Sequence, residues 1–170
     1  MSLQLFKISD VLVESPVSTV TFTSIPQGYT DLIVKTSLRS SRSIFDDYLS
    51  VVFNGDTGSN YADRWVQGYN ITASSGVNAA SGVSVQGGFV NGNGSTSNTF
   101  SSNELYIPNY TSSNYKSISV DAALENNSSS NYVVRLIANT WNSTAAITSI
   151  TFTGISPFTQ YSTFTLYGVL

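Results

Sequence analysis

The side chains that could do chemistry in this chain are its acids: Asp31, Asp46, Asp47, Asp56, Asp63, Glu104, Asp121 and Glu125, with Asp10 and Glu14 near the amino terminus. Histidine and cysteine are absent from all 170 residues. That removes the Ser-His-Asp and Cys-His nucleophile arrangements, an imidazole general base, the H-E-x-x-H zinc helix and any disulfide framework. Carboxylate chemistry is what remains. A glycosidase needs two carboxyl groups facing each other at roughly 5 to 9.5 Å, one of them in apolar surroundings that raise its pKa. Most of the acids here lie beside turn sequences and share no common spacing, so no catalytic residue is expected and the chain reads as a non-enzyme.

A second constellation gathers Asp46, Asp47, Asn54, Asp56 and Asn60 around Phe53-Asn54-Gly55-Asp56-Thr57-Gly58. These are hard oxygen donors of the kind calcium takes. Their spacing departs from the D-x-[DN]-x-[DN]-G loop with its distant Glu. Asn and Asp at such a turn bond their own backbone and tolerate left-handed dihedrals, so neither a metal nor a cofactor is expected.

Charge narrows the partners. Lys7, Lys35, Arg39, Arg42, Arg64, Lys116 and Arg135 are scattered, and the net charge is −3. No basic stripe is available to displace counterions from a nucleic acid, and no nucleic-acid partner is expected. No stretch approaches the ~18 apolar residues of a spanning helix, so no membrane partner is expected either. The opening MSLQLFKISDVLVESPV lacks the basic start and apolar run of a secretory signal, which points to synthesis in a cytoplasm. Charged residues make up only 10% of the chain, while Ser, Thr and Asn fill more than a third, so hydroxyl and amide groups do the solvating. An apolar content of 41% suffices for a core.

The elements that would carry these residues are strands. Period-two alternation runs through Val20 and Phe22; Leu32, Val34, Thr36 and Leu38; Val51 and Phe53; Ile118, Val120, Ala122 and Leu124; Tyr132, Val134, Leu136 and Ala138; Ile150 and Phe152; and Phe164, Leu166 and Gly168. In each set the named residues are expected to face inward. A further strand is expected over Glu104 to Ile107, ahead of Pro108. No window holds apolar residues at helical spacing without meeting Gly, Pro or clustered Ser and Asn, so almost no helix is expected. Turn compositions at Pro26-Gln27-Gly28, Asn54-Gly55-Asp56, Pro108-Asn109, Asn126-Asn127 and Ser156-Pro157 punctuate the strands. The pattern predicts an all-β, antiparallel two-sheet sandwich, with a jelly roll as the first choice of topology.

Residues 1–17 are expected to form an N-terminal arm or a first strand, and 18–170 a single sandwich domain. Within it, 72–99 is rich in Ser, Gly, Asn and Ala and reads as a long loop, although Gly-Val-Ser-Val-Gln-Gly-Gly-Phe-Val could add a weak strand or two. Ten Tyr, nine Phe and two Trp supply core and cross-strand pairs, and Tyr among Ser, Gly and Asn is also a recognition vocabulary. Asn-x-Ser/Thr occurs at Asn70, Asn93, Asn109, Asn126, Asn127 and Asn142, read here as composition.

Several stretches, taken in order, carry a likeness: Thr21-Phe22-Thr23-Ser24-Ile25-Pro26-Gln27-Gly28-Tyr29-Thr30-Asp31-Leu32, Ser37-Leu38-Arg39-Ser40, Phe53-Asn54-Gly55-Asp56-Thr57-Gly58-Ser59-Asn60-Tyr61, Ile107-Pro108-Asn109-Tyr110, Thr140-Trp141, Ala146-Ile147-Thr148-Ser149-Ile150 and Thr165-Leu166-Tyr167-Gly168. Together they resemble small virion structural proteins of tailed bacteriophages, including cyanophages. The resemblance implies a jelly-roll module without catalytic residues, found as head decoration and in fibre or baseplate parts. On that footing the expected role is a capsid decoration or cement protein at the virion's capsid surface, partnered with the major capsid protein and forming a homo-oligomer, a trimer by preference. The alternative is a tail or fibre module that binds a receptor or glycan. Ser2 to Val17 and Thr72 to Thr99 are the expected contact segments.

Overall fold

The structure, a computed structural model, describes residues 4–78 and 80–170. The chain forms β1 (Leu5–Leu12), β2 (Val17–Phe22), β3 (Asp31–Leu38), β4 (Asp46–Phe53), β5 (Tyr61–Tyr69), β6 (Thr72–Gly76), β7 (Val85–Asn91), β8 (Ser101–Ile107), β9 (Lys116–Leu124), β10 (Val133–Trp141), β11 (Ile150–Phe158) and β12 (Thr163–Val169). No helix occurs among the described residues. Eight strands make one sheet in the order β1-β12-β3-β8-β9-β10-β5-β6, and four make a second in the order β2-β11-β4-β7. Paired strands in both run antiparallel, and the fold is a two-sheet sandwich.

The core lies between the sheets. β9 shows the rule that builds it: Ile118, Val120, Ala122 and Leu124 are buried while Ser117, Ser119 and Asp121 face solvent, as the two-residue period of a strand requires. Leu32, Val34 and Leu38 of β3 and Phe164 and Leu166 of β12 add to the same layer. From the small sheet, Phe152 lies 5.3 Å from Phe164 ring to ring, and Phe158 meets it edge-on at 5.1 Å.

One polar group inside the core is engaged at a point where a strand deviates. Asn103 of β8 donates to Thr36 Oγ1 at 3.0 Å and to the Phe89 carbonyl at 2.9 Å, and accepts from the Phe89 N–H at 2.9 Å. The amide sits so close to β7 that a Cβ on Gly88, whose φ is +113°, would fall 2.1 Å from Asn103 Oδ1. Only glycine allows that approach.

Two sequence expectations change, and a third is narrowed to one of its alternatives. Residues 72–99 are not one loop: they supply edge strand β6 and the buried strand β7, and Arg39 closes the following turn by donating to the carbonyls of Ser95, Thr96 and Thr99. In the 1–17 segment, Leu5–Leu12 form a first strand paired with β12, while residues 1–3 lie outside the described residues. Finally, β10 has the opposite face inward. Val134, Leu136 and Ala138 are exposed, and Val133, Arg135, Ile137, Asn139 and Trp141 are buried. Trp141 decides this, packing against Phe53 at 5.5 Å and stacking near-parallel on Tyr61 at 6.3 Å.

Candidate functional site

The acids are spread through the fold, and most are spent on holding it. Asp31 accepts from Tyr106 Oη at 2.6 Å and the Asn109 N–H at 2.8 Å. Asp47, fully buried, accepts from the backbone N–H groups of Tyr48, Ile155 and Ser156. Asp63 accepts from the Asn78 N–H and its side-chain amide, and Glu125 from the N–H groups of Asn126 and Asn127. Burial pushes the Asp46 carboxyl up, with Arg42 opposing. Asp46 cannot converge with Asp47, because neighbours on one strand point to opposite faces.

The Asn54 to Asn60 turn is built as a backbone clasp. Asn54 and Gly55 both have positive φ, 53° and 68°, the signature of a type I′ turn. The Asn54 amide bonds the 146–149 segment, donating to the Ala146 carbonyl and accepting from the N–H groups of Thr148 and Ser149. Asp56 accepts from Trp141 Nε1 at 2.8 Å, Asn60 Nδ2 at 2.9 Å and the Gly58 N–H at 2.9 Å. These bonds, the indole first, hold its carboxyl below the usual range. Asp46 and Asp47 belong to another part of the sandwich, and no three acids of the described residues gather where they could hold a metal ion.

Glu104 and Asp121 stand directly opposite each other in the β8–β9 register. Both face solvent on the outer side of the large sheet, and Glu104 is ion-paired with Lys35 at 2.8 Å.

That same outer face holds the most distinctive surface of the molecule. Following the registers, one row reads Lys35, Glu104, Asp121, Leu136, Val66, and the next reads Tyr106, Ser119, Ala138, Arg64. Small side chains at Ser119 and Ala138 form a floor between Tyr106 and the β5 residues Arg64 and Val66. The result is an open groove of about 500 Å³ with an almost wholly apolar lining. It continues into neighbours of about 530 and 500 Å³ that share its walls, so the trough crosses β8, β9, β10, β5 and β6. Val66, Val134 and Leu136 remain 54%, 60% and 57% exposed.

The inner side of β10 carries the complementary anomaly. The Arg135 guanidinium lies between the rings of Trp65 and Phe89, 4.5 Å from each, and donates to Gln67 Oε1 through Nε at 2.8 Å and through Nη2. Burial lowers its pKa, and Nη1 is buried without a hydrogen bond. Asn139 exchanges bonds with the Gln86 backbone. β10 is thus inverted in part, with polar groups inside and aliphatic groups outside.

Sequence reasoning missed Arg64, Val66, Val134 and Leu136 as surface residues. The signal available was the large residues Val133, Ile137 and Trp141, four apart on the opposite face from Val134 and Leu136. No family model and no curated protein matches the chain. The functional reading therefore rests on the fold, this groove and the sequence resemblance.

Proposed function

We propose that this is a non-enzymatic structural protein of a tailed-phage virion, a decoration or cement protein that links and stabilises coat subunits at the capsid surface. The observation that carries the reading is the apolar trough on the outer face, which suits a protein partner. Tyr106 and Trp65 are the aromatic residues along the central groove and they form no stacked pair, and no Asn or Gln lines it, so it lacks the stacked rings and converging amides that would grip a sugar. Edge strand β1 offers a second contact, with Leu5, Phe6 and Leu12 exposed beside unpaired backbone groups.

The strand order favours the jelly-roll assignment. β1-β12-β3-β8 faces β2-β11-β4-β7, the wrap of two Greek keys, and the β5-β6 and β9-β10 pairs are additions that widen one sheet. Those additions build the trough. The dispersed acids support a non-catalytic role.

Particles assembled without this protein should adsorb to cells normally yet lose filled heads to heat or osmotic shock, since a cement acts through many modest repeated interfaces. Particles that keep their heat resistance but fail to bind cells would replace this reading with the tail receptor- or glycan-binding one.

A further inference from the structure

We infer that the trough on the outer face is a self-association site, occupied by the same trough of a second copy in a twofold pair. The inference does not depend on the virion reading. It begins from the inversion of β10, which leaves Leu136, Val134 and Val66 exposed while Arg135 and Asn139 are taken inside. No described element of the chain covers that face.

The charges identify the occupant. Arg64 and Asp121 sit on either side of β10, on β5 and β9, one row apart, and both line the central groove. Arg64 donates only to the carbonyl of its neighbour Asp63, at 2.6 Å, and neither Arg64 nor Asp121 has an ion pair among the described residues. An axis lying in the interface and passing over Ile137, midway between them, places each Arg64 against the Asp121 of the other copy. The contact is made twice, as an isologous interface requires. The same operation lays Leu136 of one copy on the aliphatic patch of Leu136 and Val66 of the other.

Five strands at about 4.8 Å and seven residues at about 3.3 Å give a projected patch of roughly 550 Å². That is small beside the about 800 Å² per partner of a stable complex, so pairing is expected at micromolar concentrations. A twofold contact yields pairs. The trimer implied by the sequence resemblance would need a second, different surface.

The test is sedimentation velocity on the full chain, with circular dichroism melts to confirm folding. Wild type should pass from monomer to dimer as concentration rises through the micromolar range. Arg64→Glu alone and Asp121→Arg alone should each weaken association by about tenfold or more, since each places like charges together twice. Mixing the two variants should restore a heterodimer, and the double variant R64E/D121R should restore a homodimer. A wild type that stays monomeric at every concentration overturns the inference. So does a dimer indifferent to both reversals, or folded single variants that fail to recover on mixing.

Discussion

β9 and β10 pair along their full nine-residue lengths, yet they treat the two faces of the sheet in opposite ways. Past the buried Lys116 at its start, β9 buries aliphatic groups and shows serine and aspartate. β10 buries an arginine and an asparagine among its large residues and shows valine and leucine. Fully burying a large apolar side chain gains about 1.5 to 3 kcal/mol, so Trp141, Ile137 and Val133 inside outweigh Leu136 and Val134 by about one such side chain. The difference teaches that a strand's facing is set by its largest residues and by register with its neighbours. The apolar residues left outside are the ones on which the self-association inferred above rests.

The comparison breaks most severely at the residue that fixes it. Trp141→Ala should cost about 3 to 5 kcal/mol, because it opens a cavity against Phe53 and Tyr61 and strips Asp56 of its indole donor. Thermal unfolding measures it. Next, Asn103→Ala leaves the Phe89 N–H without its side-chain acceptor and the Phe89 carbonyl with Ser101 Oγ as its remaining side-chain donor, beside the Gly88 approach, and should cost about 1 to 3 kcal/mol, read from denaturant midpoints.

pH sharpens the same region. Burial pushes the Tyr61 hydroxyl up to about 12, where it donates to the Asp56 carbonyl and accepts from the Phe53 N–H. A pKa raised on folding contributes stability that is intact below the unfolded value of about 10 and is lost as pH climbs toward the folded one. Stability should fall between those values, and Tyr61→Phe should flatten that fall. Asp56 has the opposite sign. Its lowered pKa contributes stability above the ordinary carboxylate range that is lost as pH drops through the folded value, and Asp56→Asn should remove that acid dependence.

The smallest expected effect on stability is the most telling for β10. Leu136→Ser should change the unfolding free energy by no more than about 0.5 kcal/mol, as at an exposed site, whereas a core leucine would lose several.

Much of the sandwich was legible in sequence because β3, β9 and β12 alternate cleanly and Asn54-Gly55 announces its turn; β11 alternates only at its start, and Ser156-Pro157, expected as a turn, lies inside it. β5 was not, since its inward row of Tyr61, Asp63, Trp65, Gln67 and Tyr69 mixes polar and aromatic groups and hides the period. β7 is hidden in the sequence because Gly87 and Gly88 resemble a loop, although Gly88 makes room for Asn103 and Gly87 for Val51 and Leu49. The trough was invisible for a related reason. Val134, Leu136 and Ala138 have the pattern of a buried face, and it is the larger Val133, Ile137 and Trp141, in register with β9 and β5, that turn them outward.

Self-association would cover this outer face in the working molecule, and the absence of native cysteine allows a direct measurement. Ser119→Cys places a near-isosteric thiol on the floor of the trough, and Thr19→Cys places one on the exposed side of β2 as a reference. Alkylation rates followed against protein concentration should fall at position 119 and stay constant at position 19. Equal, concentration-independent rates at both positions would contradict the account.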